Sequence, residues 1–211
     1  MRNVNTVEEA SIVRDIEQPD VQPAGRVLAN AFRDYPFFEY CLGDANNYVR
    51  MAPGMFASLV RWTMLYGKAW ATSDLNAVAL RQPPGTRSIG IWNALRSGLA
   101  FSFLRMDGAT RQRFSRTTPI VAETHKGIMG DRPHWHCWMM GVLPTRQGTG
   151  VGRQLMRHTF EQSDRAGLPC YLETFSESSV RVHESQFYSI RETITIPGTP
   201  LTLYAMVRPP Q

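Results

Sequence analysis

A run of β-compatible, largely apolar residues, Trp135-His136-Cys137-Trp138-Met139-Met140, meets an amphipathic stretch from Val151 across the turn Gly141-Val142-Leu143-Pro144-Thr145-Arg146-Gln147-Gly148-Thr149-Gly150. The first run reads as a buried strand. In the second, Val151, Leu155, Thr159, Ser163 and Ala166 recur at near-helical spacing beside Met156 and Phe160, with Arg153, Arg157, Glu161 and Arg165 on the outer side. Gly167 supplies a C-terminal cap and Pro169 prevents the helix from resuming. The junction is therefore strand, glycine turn, helix. A helix start leaves amide donors unsatisfied at the positive end of its dipole, and glycine lets an anion approach the main chain closely.

Spacing decides which anion-binding turn this is. A P-loop needs Lys-Ser or Lys-Thr after its last glycine, and Arg153-Gln154 stands there; a dinucleotide fold needs Gly-x-Gly-x-x-Gly, and the glycines fall at 148, 150 and 152. Gln147, Gly150 and Gly152 instead match Gln/Arg-x-x-Gly-x-Gly/Ala, so the segment resembles the acetyl-CoA-binding motif of the GCN5-related N-acetyltransferase (GNAT) superfamily. His134-Trp135, Gly141-Val142-x-Pro144 and Gly167-Leu168-Pro169-x-Tyr171-Leu172-Glu173-Thr174 are similar to the branch that includes puromycin N-acetyltransferase. Ala31-Phe32-x-x-Tyr35-Pro36 and Ala77-Val78-Ala79-Leu80-x-x-Pro83-Pro84-Gly85 agree more loosely. The resemblance runs from about Arg26 onward and is sharpest from His134 to Thr174.

The resemblance implies an α/β (α+β) fold: a mixed, mostly antiparallel twisted sheet flanked by helices, with acetyl-CoA in a splay between two central strands. It implies that Met140, Gly141 and Val142 serve the pantetheine and thioester through their main chains. Gln147, Gly148, Thr149, Gly150, Val151, Gly152 and Arg153 would hold the diphosphate, and Ser179 would stand where asparagine is usual on a late helix.

Size and composition are consistent with one such domain. The chain has 211 residues, 43% of them hydrophobic, enough for one core. Residues 1–22 read as an N-terminal segment with a short strand near Ile12 to Ile16, and 23–211 as the domain. Cys41, Cys137 and Cys170 have no ligand spacing and suit free thiols in a reducing compartment. The first residues lack the apolar core of a signal peptide, and Ser88 to Met106, interrupted by Arg96, is too polar to span a membrane, so a cytoplasmic protein is expected. The formal charge of +5 comes mostly from dispersed arginines without a nucleic-acid recognition signature, so no nucleic-acid or membrane partner is expected; a homodimer is compatible with the fold.

Along the chain, helical patterns run from Pro23 to the Tyr35-Pro36 break, from Tyr48 to Leu65 with an interruption at Pro53-Gly54, through Ser88 to Met106, and from Gly108 to Lys126. Lys68 to Ser73 and Ala77 to Arg81 form a hairpin. Cys170 to Phe175, Glu192 to Ile196 and Leu201 to Val207 are strands, and Ser179 to Gln186 a short helix. The tryptophans Trp62, Trp70, Trp92, Trp135 and Trp138 are assigned to core or pocket walls.

N-acetylation, which the resemblance implies, needs an amine stripped of its proton, donors for the thioester oxygen, and a proton source for the thiolate. Glu173 is the first candidate base, with a sheet-anchoring role as its alternative; His134 is the second, with a structural histidine as its alternative. Members of the superfamily place a tyrosine acid in Asn-Val-x-x-Tyr, whereas Ser179-Val180-x-x-His183 puts histidine there; His183, a shifted Tyr188, or no acid at all remain open. His134, His136 and Cys137 do not make a metal site, because the cysteine points away from the two histidines. The expected substrate is a primary amine of a small molecule. Other acyl-CoA chemistry (O-acylation or decarboxylation) and a non-catalytic acyl-CoA-binding domain are the alternatives.

Overall fold

The computed structural model describes residues 13–86 and 88–211. Seven strands form one sheet in the order β1-β2-β3-β4-β5-β7-β6. Their ranges are β1 Val13–Asp15, β2 Lys68–Thr72, β3 Ala77–Gln82, β4 Trp135–Val142, β5 Cys170–Thr174, β6 Ser189–Thr195 and β7 Thr202–Arg208. Only β4 and β5 run parallel; every other neighbouring pair is antiparallel. Of the first expected strand, Ile12 lies outside the described residues, while Val13–Asp15 pair with Trp70 to Thr72. Residues 13–22 thus contribute an edge strand and the start of a helix to the same sheet.

The helices are α1 Val21–Ala31, α2 Pro36–Leu42, α3 Ala45–Tyr66, α4 Ile91–Ser97, α5 Leu99–Leu104, α6 Gly108–Met129, α7 Val151–Arg165 and α8 Glu177–Glu184. One layer packs α1 and α3 on the sheet through Leu28, Phe56, Val60, Val78 and Leu80. Helix α7 covers the other face through Leu155 and Met156, against Trp70, Ala79 and Cys137. Gly25 lets α1 and α3 meet, since a Cβ there would lie 2.7 Å from the Ala57 nitrogen.

Two local expectations are corrected. Pro36 does not simply end the first helix: it occupies the opening turn of α2, where its missing N–H costs nothing. Helix α3 runs unbroken through Pro53. Its Asp44 cap and its buried face of Tyr48, Met51, Ala52, Met55, Phe56 and Leu59 outweigh the ~3 kcal/mol that an interior proline costs. Of the tryptophans assigned to core or pocket walls, Trp92 lies outside the core, 85% exposed on α4, where it lines a surface pocket with Tyr66 and Ile91.

Candidate functional site

Strands β4 and β5 pair only through Trp135↔Cys170 and His136↔Tyr171, then separate. The direction of the freed amides follows from the ladder. Leu143 N–H donates to the Asn76 carbonyl at 2.9 Å, and the register runs on as Ala77↔Val142, Val78↔Gly141 and Ala79↔Met140. Bonded and non-bonded pairs alternate in an antiparallel ladder, so Gly141 faces β3 while the Met140 and Val142 amides point into the gap beside β5. Gly141, expected among the cofactor positions, turns its own amide to β3 and also has a packing role. A Cβ there would sit 2.8 Å from that of Ala31, so the glycine seats α1 on the sheet.

Beyond β4, Gly148 and Gly150 both take positive φ, 78° and 84°, and a Cβ on either would meet nothing within 4 Å. The first bond of α7 runs from Gln154 N–H to the Gly150 carbonyl at 3.2 Å, and among the described residues the amides from Gly148 to Arg153 have no acceptor. This open, donor-rich helix start fits the diphosphate of a CoA thioester. Gln147 Nε2 donates to the Val142 carbonyl at 3.2 Å, tying the loop to the end of β4. Thr149 Oγ1 bonds the Arg146 carbonyl at 2.7 Å, Arg153 is exposed, and the Ser179 amide is capped by Ser176 Oγ at 3.4 Å.

The expected catalytic side chains fall in two groups on opposite faces. Glu173 Oε2 accepts from His136 Nε2 at 2.6 Å, and both side chains are below 10% exposed, at 9% and 8%. His136 Nδ1 faces Gln82 Oε1 at 3.3 Å. His134 Nε2 lies 2.7 Å from Nε2 of His125, which α6 brings in and which stacks on Tyr171 at 4.3 Å between centroids. Burial pushes His125 down to about 4, helped by the nearby His136, and burial likewise lowers His134. Both rings are therefore neutral near pH 7.

His183 and Tyr188 belong to the α7 side. Burial, with Arg81 nearby, pushes His183 down to about 4, so it is a neutral imidazole near pH 7 and not the imidazolium an acid role requires. Its Nδ1 is buried without a partner among the described residues. Tyr188 is buried with Oη 3.2 Å from Cys137 Sγ, and burial raises its phenol far above the ordinary value.

Sequence reasoning passed over His136 as an actor and missed His125. The parity of His134-x-His136 did place both on one face, but nothing local announces that α6 delivers a third histidine. One ligand atom each from His125, His136 and Glu173 lie within 4.8 Å of one another, a grouping able to hold a cation that the spacing of His134, His136 and Cys137 did not anticipate. The hydrogen bonds to His134 and between His136 and Glu173 already engage it without an ion.

At the C-terminal end of β5, Tyr35 Oη accepts from Phe175 N–H at 2.8 Å and lies 3.1 Å from Thr174 Oγ1. Phe37 packs on Phe175 at 4.9 Å and on Phe114 at 5.9 Å, so an aromatic wall begins two residues beyond Glu173.

Residues 114–187 match the sequence model of the Acetyltransferase (GNAT) family. An uncharacterized N-acetyltransferase of Schizosaccharomyces pombe is 27% identical over 203 residues, covering 93% of this chain and 82% of its own. Among solved structures, histone acetyltransferase HPA2 and related acetyltransferase from Corynebacterium glutamicum superposes with a TM-score of 0.66 at 17% identity, over 96% of this chain and 97% of that one. Arylalkylamine N-acetyltransferase 2 from Aedes aegypti does so with a TM-score of 0.61 at 15% identity, over 95% and 99%. The fold is that of the GNAT acetyltransferases. No helix among the described residues is long and apolar enough to cross a membrane.

Proposed function

We propose that the chain, which has the fold of the GNAT acetyltransferases and matches that family's sequence model over residues 114–187, transfers acetyl from acetyl-CoA directly to a primary amine of a small molecule. The observation that carries this reading is the gap itself. Met140 and Val142 amides with no strand partner among the described residues line it, the donor cradle at α7 lies at one end, and the Glu173–His136 pair stands on the two strands that border it. Bound acetyl-CoA supplies an activated acyl group on a thiol leaving group.

The chain's own residues do the rest. Gly148 to Arg153 bind the diphosphate through amides, and the Met140 N–H meets the thioester oxygen as charge builds on it. Glu173, held by His136, attracts the cationic amine and takes its proton. The C–N bond forms, the C–S bond breaks with its electron pair leaving on sulfur, and the second proton that nitrogen sheds in becoming an amide ends on that thiolate. Neutral His125 and His134 add no positive charge to repel an ammonium. The wall of Phe37, Phe114 and Phe175 favours an amine carrying an aromatic group, in line with the arylalkylamine named for the mosquito neighbour.

Thiol release from acetyl-CoA with tryptamine, spermidine and a lysine peptide tests this. Turnover with tryptamine above the other two supports it. Acetyl-CoA binding without thiol release across the panel would favour the non-catalytic alternative, and peptide turnover alone would overturn the small-molecule assignment.

A further inference from the structure

Arg81 is fully buried, at 0% exposure, in β3 beneath α7. Its guanidinium meets only neutral partners by hydrogen bond: Nε to Thr159 Oγ1 at 3.0 Å, Nη1 to the Met139 carbonyl at 2.7 Å and the Leu80 carbonyl at 3.3 Å, and Nη2 to the sulfurs of Met156 at 3.1 Å and Met140 at 3.7 Å. Among the described residues no carboxylate pairs with it, whereas Arg208, also buried, holds Asp164 at 2.7 Å. A buried charge without a counter-charge is expensive, and an apolar side chain of similar volume would serve the fold as well or better. The charge therefore needs a purpose other than packing.

The β4 bulge supplies one. Leu80 faces Met139 and Gln82 faces His136, so Cys137 and Trp138 share the single position of Arg81. This irregularity brings the Met139 carbonyl onto the guanidinium. The same peptide unit carries the Met140 N–H, which the ladder aims the opposite way, into the gap. A cation on the carbonyl end of an amide draws electron density from its nitrogen and strengthens the N–H as a donor; in a low-dielectric interior that polarisation is not screened away.

We propose that Arg81 is a positioning residue for acyl transfer, acting through the Met139–Met140 peptide to sharpen the amide that receives the thioester oxygen. The inference rests on the transferase reading above and concerns a residue that never touches substrate.

The test is isotope-edited infrared spectroscopy of acetyl-CoA carrying a ¹³C thioester carbonyl, bound to the wild-type chain, Arg81→Lys and Arg81→Met, alongside steady-state kinetics with the best amine of the panel. The carbonyl stretch should shift to lower frequency on binding to wild type. It should return part of the way to its solution value in Arg81→Met, where the Met140 N–H still donates but is no longer polarised, and less far in Arg81→Lys. In parallel kcat should fall about tenfold in Arg81→Met, less than the loss of an entire oxyanion donor, with KM and Kd for acetyl-CoA unchanged. An unmoved carbonyl frequency in the variants, or a loss confined to KM, overturns the proposal. If Arg81→Met does not fold, Arg81→Lys decides by the same two readings. Failure of the wild type to bind or turn over acetyl-CoA would instead remove the transferase reading itself.

Discussion

The Met140-to-Arg153 segment and the His125–His134–His136–Glu173 cluster share strand β4 but are built in opposite ways. The first acts through main-chain amides supplied by one continuous stretch of strand, loop and helix. The second acts through side chains that α6, β4 and β5 bring together from positions up to 48 residues apart, the difference between 125 and 173. Main-chain chemistry is written locally, because glycine placement and helix starts determine it. Side-chain chemistry depends on topology, which no short stretch contains. The two regions should accordingly fail in different kinetic currencies.

The largest effect is expected at Glu173. Glu173→Gln keeps the shape and leaves His136 a hydrogen-bonding partner but removes the proton acceptor, so kcat should drop by about 10²- to 10⁴-fold with acetyl-CoA affinity intact. Stopped-time thiol release and calorimetric binding on the same preparation separate the two quantities. A variant with near wild-type kcat would reduce Glu173 to the sheet-anchoring alternative and leave the cluster without a base.

Next comes Gly141, where the motif resemblance and the geometry disagree. If the glycine serves the cofactor, Gly141→Ala should raise the KM for acetyl-CoA. The contact at 2.8 Å to Ala31 says otherwise: overpacking should cost about 1–3 kcal/mol of stability, read as a lowered urea midpoint, with KM little changed.

Much of the molecule was legible before any coordinates. The hairpin of β2 and β3, the β4–loop–α7 unit and its Gly167 stop, and the late strands all follow from periodicity and turn chemistry, because each is determined by residues next to one another. What escaped had long-range causes. Helix α3 tolerates Pro53 because its buried face is large, and the β4 bulge sets Cys137 and Trp138 opposite one residue of a distant strand, Arg81. His183 looks like a substitute acid when aligned with a motif, but burial, invisible in the chain, keeps its ring neutral. His125 sits in a helix whose polar surface gives no sign of a histidine turned onto β5.

Gly150 sharpens the main-chain half of the comparison. Its φ of 84° costs an alanine about 1–2 kcal/mol, while the space around a Cβ is open within the protein. Gly150→Ala should therefore lose a little stability yet raise the KM for acetyl-CoA about tenfold, since the methyl group would stand where the diphosphate approaches. The kcat at saturating acetyl-CoA should change far less than in Glu173→Gln. If both variants lowered kcat and left KM alone, the division between a binding backbone and a reacting side-chain cluster would collapse.

The smallest effect concerns His183 and reads burial directly. Its folded value near 4 lies below the ordinary 6.5. The unfolded chain therefore takes up a proton, as pH falls through 6.5, that the folded chain refuses. Stability from this group is complete above about pH 6.5 and drains away toward pH 4. Between pH 7 and 5.5 the loss should be about 1 kcal/mol, and His183→Leu should abolish that share of the acid sensitivity in urea titrations at the two pH values. An unchanged pH dependence in the variant would mean that the native ring takes up its proton at the same pH as in the unfolded chain, which would return it to contention as the proton donor for the departing thiolate.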